Sequence, residues 1–320
     1  VSMAVNELIH ANDYGLPLNS FVWLETHHQS KADDRIKMIK QMALPWEGFI
    51  VDVGCGPGLW SPLLAQEIGP KGHILGIDIS EESLNIANQR SQGTWYQDQV
   101  EYQQAPLDSL PIEQSSADVI FSANVSQYLA KPVEAFAAMG PYLKPGGRLI
   151  VKDIDFGEMS FGGVDPELQK AVFLARRRWE KRRVQCGYQY EDSWVGSKLK
   201  RYMCDAGYSN VVVYKYPIYR RAPLAPEYRT YLQGIAEWFI CEEAPYLSIE
   251  HRERWRSVFF SLRNCILDCS DFFCREVEYM VSGVWNAQAQ PCINNLLAGH
   301  TQDRYSGLSQ DSEMLASSLA

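Results

Sequence analysis

The chain has 320 residues, a formal net charge of −9, 46 % hydrophobic and 22 % charged residues. That balance suits a globular protein with a sizeable core, and it excludes a largely disordered chain, a collagen-like fibre or a coiled coil. The excess of acid disfavours nucleic acid and anionic membrane as partners, since both repel it at long range.

Residues 1–10 show no basic segment followed by an apolar run, and no stretch reaches bilayer length, which predicts a cytoplasmic protein without membrane insertion. The eight cysteines include no CxxC pair. Cys269 and Cys274 lack paired histidines nearby, so we expect buried free thiols and no metal site.

In chain order, short apolar runs alternate with helical stretches from Gly48 to Asp155. Strands are expected at Phe49–Val53, His73–Asp78, Val100–Gln104, Asp118–Ser122 and Arg148–Asp153. Helices are expected at Gly58–Ile68, Glu81–Gln92 and Val133–Leu143, with a Lys144-Pro-Gly-Gly147 turn. This alternation predicts a parallel sheet covered on both faces. Beyond it, helices are expected at Asp165–Val184, Lys198–Ala206, Glu227–Glu242 and Ile249–Cys269. Strand character recurs at Val211–Tyr216 and Phe272–Trp285, with Val277, Tyr279 and Val281 on one face. Residues 287–320 are rich in Ser, Gln, Ala, Asn and Gly and read as a mobile tail.

The most informative motif is Val51-Asp-Val-Gly-Cys-Gly-Pro-Gly58, which follows a strand and opens a helix. Its glycines permit a sharp turn and a close ligand approach. The spacing departs from the dinucleotide fingerprint, with Leu59 where the third glycine would stand. Asp52 precedes the first glycine by two positions, and Asp78 ends the next strand, where open α/β folds place an acid against ribose hydroxyls.

With these residues the sequence resembles the class I S-adenosylmethionine-dependent methyltransferases. Four motifs carry the likeness in order: VDVGCGPG at 51–58, GIDIS at 76–80, LDSLPIEQSSADVIFSANV at 107–125 and LKPGGRLIVKD at 143–153. The resemblance spans roughly Gly48–Trp285. It implies a Rossmann-like α/β fold with a seven-stranded sheet, helices on both faces and a final antiparallel hairpin. Residues 1–47 would form a helical cap, 48–286 the catalytic domain, and 217–274 a helical insertion over the substrate site. The implied cofactor is S-adenosyl-L-methionine. Gly54, Cys55 and Gly56 would line its methionine part, Asp78 its ribose and Ile79 its adenine. Leu107 and Asp108 would lie at the adenine edge, Asn124 would offer a backbone carbonyl to the amino group, and Tyr14 would contact the cofactor from the cap. Pro106 stands where relatives often carry an acid, so adenine recognition must differ here.

Transfer to an alcohol needs a base near the acceptor. The adjacent His27 and His28, in Trp23-Leu-Glu-Thr-His-His-Gln29, are the first candidates, and at most one can face inward from a helix. Asp153 and Asp155 at the end of the fifth strand are the second, with capping of the following turn as the alternative role for one of them. Gln127 and Tyr128 could order the acceptor. The basic run Arg176–Arg183 reads as a solvated face, or as a docking patch for a carrier protein presenting a tethered substrate. The aromatic insertion suits a large apolar small molecule. Within the family the segment YGLPLNSFVWLETHHQSKADDR is similar to O-methyltransferases of natural-product clusters, the microcystin type among them. C- or N-methylation, and cofactor binding without transfer, remain open at this point.

Overall fold

The computed structural model describes residues 18–241 and 246–286. Tyr14 and the expected tail at 287–320 lie outside the described residues.

Helices α1 (Phe21–Ser30) and α2 (Ala32–Gln41) precede the sheet. Ser20 caps α1 by accepting the Trp23 amide. Five strands then follow one another: β1 (Phe49–Val53), β2 (His73–Asp78), β3 (Val100–Gln104), β4 (Ala117–Ala123) and β5 (Leu143–Ile154). They alternate with α3 (Ser61–Ile68), α4 (Glu81–Ser91) and α5 (Pro132–Met139). The order β3-β2-β1-β4-β5 is parallel throughout, so the connections reverse direction between β1 and β4 and open a crevice at the strand C-termini.

The chain continues through β6 (Ser160–Gly162), α6 (Pro166–Arg183), α7 (Leu199–Asp205), β7 (Tyr208–Arg221), α8 (Pro226–Cys241), α9 (Ile249–Phe260) and β8 (Phe273–Trp285). Strand β8 runs antiparallel between β5 and β7, as the expected hairpin requires. Three features differ from expectation. Among the described residues the sheet has eight strands, because the short β6 pairs with the start of β8. Strand β7 extends through Pro217 to Arg221. Pro217 is tolerated because β7 is an edge strand whose only partner among the described residues is β8. The helical insertion therefore spans 222–272. Finally, α9 stops at Phe260. Ser261 turns extended and its hydroxyl accepts the Arg263 and Asn264 amides, competing with further helix.

One apolar cluster lies on each face of the sheet. Leu149, Val151 and Val281 pack towards α5 and α7, and Ile50, Phe121 and Met280 pack towards α2 and α3. A third belongs to the insertion, where Trp238, Trp255 and Phe259 are buried against Phe161 of β6 and Trp23 of the cap. The aromatics of the insertion are thus mostly core. Three of the described cysteines are buried (Cys55, Cys265, Cys274), whereas Cys186, Cys204 and Cys269 are exposed free thiols rather than core residues. No helix among the described residues is long and apolar enough to cross a membrane.

Candidate active site

A cavity of about 320 Å³ opens at the strand C-termini. Its floor is the turn after β1. Gly54, Gly56 and Gly58 hold φ of 73°, 52° and 70°, a left-handed conformation that side chains resist. At Gly54 an added Cβ would also stand 2.3 Å from Val125 Cγ2, so the β1 and β4 turns meet too closely for any side chain.

Asp78 organises this turn. Its Oδ2 accepts the Gly56 amide at 2.8 Å and its Oδ1 accepts the Ser80 amide at 2.9 Å. The carboxylate is thereby fixed at the cavity wall. Asp52 sits behind the turn, buried, and its Oδ2 has no hydrogen-bond partner among the described residues. Burial, reinforced by the Asp78 charge, pushes its carboxyl up to about 8.

Gly54, Cys55, Gly56, Asp78, Ile79, Leu107 and Asn124 all line the cavity, whereas Asp52 and Asp108 do not reach it. Asp108 is exposed. Asn124 adopts φ 60° just past β4. Its side-chain oxygen accepts from Lys152 Nζ at 2.8 Å and its backbone carbonyl accepts from Gln127 Nε2 at 3.3 Å.

The opposite wall comes from the cap, the insertion and the turns after β4 and β5. It presents Trp23, His27, Tyr128, Phe156, Tyr231 and Ile235. His27 is buried and stacks on Tyr231 at 5.2 Å between ring centroids. Its Nε2 stands 3.7 Å from Glu278 Oε1, a charge contact longer than a hydrogen bond. Burial, then the Lys31 charge, lowers its pKa well below the ordinary value, so the ring is neutral at pH 7. His28 faces elsewhere, its Nδ1 2.5 Å from Arg35 Nη1. Burial and the Arg35 charge push it down to about 3.

Asp153 does not reach the cavity either. It is fully buried, and its Oδ1 accepts the Ile154 amide. Burial raises its pKa to about 7 against the pull of Lys152. Asp155 takes the capping role. Its Oδ1 accepts the Gly157 amide and its Oδ2 the Ser197 amide, at 2.9 and 2.8 Å.

Behind His27 lies a buried charge network that the sequence reading missed. Lys31 Nζ is 2.7 Å from Glu276 Oε2 and 2.9 Å from Glu278 Oε1, and Lys152 Nζ is 2.9 Å from Glu278 Oε2. Tyr228 and Tyr231 donate to the two oxygens of Glu276, each at 2.7 Å. Glu276 and Glu278 alternate on one face of β8, a pattern that ordinarily marks the solvent side. Here the cap and α8 cover that face. The signal that could have found it is Lys152, a lone charge inside the apolar run of β5, which needs a buried acid.

The basic run also divides. Arg176 and Arg183 are buried against Glu191, the former at 2.6 Å, while Arg177, Arg178, Lys181 and Arg182 are exposed. The solvated-face expectation therefore fails for the two inward arginines, which sit on the core side of α6.

The crevice, the left-handed glycine turn and the Asp78 clamp fit S-adenosyl-L-methionine. The part of the chain that carries them is similar to a methyltransferase domain. Residues 48–198 match the family model described as "Methyltransferase domain". Three curated proteins are similar over this part of the chain. An uncharacterized 37.1 kDa protein in a Streptomyces fradiae transposon is 31 % identical over 159 residues, 50 % of this chain and 43 % of that protein. A malonyl-[acyl-carrier protein] O-methyltransferase of Marinomonas is 26 % identical over 43 % of this chain and 47 % of that protein. A demethylmenaquinone methyltransferase of Lactococcus lactis is 33 % identical over 44 % and 53 %. The matches thus span about half the length of these relatives. A solved Bacillus halodurans protein, provisionally assigned to the methyltransferases, shares the fold. Its TM-score is 0.50 at 15 % identity, covering 78 % of this chain and 99 % of that one.

When bound, S-adenosyl-L-methionine supplies an electrophilic methyl group on a sulfonium. The glycine turn and Asp78 would hold that group, and the aromatic wall and His27 face the same cavity.

Proposed function

We propose that this chain transfers a methyl group from S-adenosyl-L-methionine to a hydroxyl of a large, largely apolar small molecule, with His27 as general base. The observation that carries the reading is the neutral His27 ring in the cavity wall with Glu278 behind it. Glu278 is held well below the ordinary carboxylate range by Lys152 and Lys31, which overcome its burial. A neutral imidazole backed by a carboxylate can take a hydroxyl proton and keep the resulting charge paired. The aromatic wall supports an apolar acceptor.

The exposed Arg177, Arg178, Lys181 and Arg182 support a carrier-tethered form of that acceptor, docked on α6. Tethering is also what the name of the Marinomonas relative describes for its own substrate.

The test is incubation with methyl-labelled cofactor and a panel of hydroxylated apolar metabolites, free and carrier-loaded, followed by mass spectrometry. Label on an acceptor oxygen supports the reading. Label confined to carbon or nitrogen, or cofactor binding with no transfer to any acceptor, would replace it.

A further inference from the structure

Tyr231 of α8 lines the cavity and is 1 % exposed. Its ring lies nearly parallel to that of His27, with 11° between the planes and 5.2 Å between the centroids. Trp23 of α1 and Tyr228, one turn earlier in α8, each pack against it at 5.5 Å.

The hydroxyl is fully committed. It donates to Glu276 Oε2 at 2.7 Å and accepts from Lys31 Nζ at 3.1 Å. Lys31 directs its other two donors at Glu276 Oε2 and Glu278 Oε1, at 2.7 and 2.9 Å, so all three of its N–H groups are used. Burial, then the Glu276 charge, holds the Tyr231 phenol well above its ordinary range. A phenol whose one proton is bonded to a carboxylate cannot take a proton from an acceptor, so Tyr231 is no base. What it offers His27 is a ring face, anchored by two charges of the buried network.

The plane and the direction of the His27 ring are set separately. A half-turn about the Cβ–Cγ bond keeps the imidazole plane and exchanges Nε2 with Cε1, so a stacked neighbour fixes the plane alone. Direction comes from Glu278 of β8, whose Oε1 stands 3.7 Å from Nε2. That nitrogen is buried and has no hydrogen bond among the described residues. Lys31, Arg35 and Lys152 act on the ring as well, and Glu278 is the acid among them. In a neutral imidazole the nitrogen that faces a carboxylate carries the proton, so the lone pair belongs to Nδ1.

We propose that Tyr231 is the positioning residue for His27, holding the imidazole plane so that Nε2–H points at Glu278 and Nδ1 meets the acceptor hydroxyl. This rests on the reading of His27 as general base. In that step the acceptor O–H bond breaks and an Nδ1–H bond forms. The oxygen keeps the electron pair that bonds the methyl carbon, and the sulfide leaves with its own pair. The insertion then supplies proton-transfer geometry as well as an apolar wall.

The experiment is nitrogen-15 and carbon-13 NMR of the full chain with labelled histidine at pH 7, the His27 signals being those absent from His27→Gln. Wild type should show the Nε2–H tautomer alone. Tyr231→Leu, which removes the ring, should show both tautomers in exchange. Tyr231→Phe keeps the ring and drops its anchor, so a minor Nδ1–H form should appear beside the major one. A packing role alone would lower stability in both variants and leave the tautomer as in wild type. An Nδ1–H form in wild type, or the wild-type tautomer unaltered in either folded variant, overturns the proposal. Should Tyr231→Leu not fold, the isosteric Tyr231→Phe decides.

The second arm measures transfer to the acceptor that the metabolite panel identifies. In Tyr231→Leu kcat should fall about 10²-fold, as a misplaced reacting group costs. In Tyr231→Phe it should fall less, with KM for the acceptor within about twofold of wild type. An unchanged kcat in both variants overturns the proposal. A wild-type rate in His27→Gln overturns the base reading itself and takes the proposal with it, a moved tautomer then marking a structural contact.

Discussion

At the scale of single residues, the two adjacent histidines separate cleanly by what their ring nitrogens meet. His27→Gln should lower kcat about 10²- to 10⁴-fold, the usual contribution of a general base. The affinity for S-adenosylhomocysteine should stay within about twofold of wild type. Steady-state kinetics alongside titration checks this, and an unaffected kcat would remove His27 from the chemistry. His28 makes a different prediction. Its folded pKa, about 3, lies below the unfolded value of 6.5, so the unfolded chain binds the proton first as pH falls. Relative to His28→Gln, wild type should therefore lose stability from pH 6.5 downwards, by about 2 kcal/mol between pH 7 and 5. Urea denaturation of both proteins at the two pH values measures the difference. Parallel curves would mean that the folded protein protonates His28 as readily as the unfolded chain does. Asp52 has the opposite sign. With its folded pKa near 8 and an ordinary unfolded value of 3.8, wild type should lose stability relative to Asp52→Asn as pH rises from about 4 to 8.

At the scale of elements, the buried network joins three pieces distant in sequence. Lys31 ends α1, Glu276 and Glu278 belong to β8, and Tyr228 and Tyr231 come from α8. Lys31→Met would leave two carboxylates in the interior sharing only Lys152, and removal of one partner from such a buried set costs on the order of 3–5 kcal/mol. We expect that loss in chemical denaturation, together with release of the cap from the sheet, seen as faster amide exchange in α1. A loss below about 1 kcal/mol would show that the carboxylates become protonated or hydrated without consequence. The same elements mark what was legible. The five parallel strands could be read because each is a short apolar run between glycine-rich turns and helical periodicity, and the observed bounds differ by a residue or two apart from β5. Strand β5 runs back through the Lys144-Pro-Gly-Gly147 turn to Leu143, where its pairing with β4 shifts register. The glycine turn and Asp78 could be read because their chemistry is local. The network could not, because its members lie some 245 positions apart and alternating glutamates on a strand look solvated until a helix covers them. Arg35 escaped notice for the same reason, a charged residue among Asp33, Asp34 and Lys37 whose burial only packing decides.

For the whole molecule, the cavity has two halves with different origins. The glycine turn, Asp78 and Asn124 come from the sheet, while Trp23, His27 and Arg35 come from the cap and Tyr231 and Ile235 from the insertion. A ligand that fills the cavity must hold the halves together, so binding should stabilise contacts between parts that are otherwise linked through Lys31 and the aromatic core. At a concentration one hundred times its Kd, S-adenosylhomocysteine should raise the unfolding free energy by about 2.7 kcal/mol. Amide exchange should slow in two places at once, at residues 53–60 and 76–80 on the sheet side and in α1 and α2 on the cap side. Protection restricted to the sheet side would mean that the cofactor touches only the glycine turn and that the cap closes on the acceptor alone.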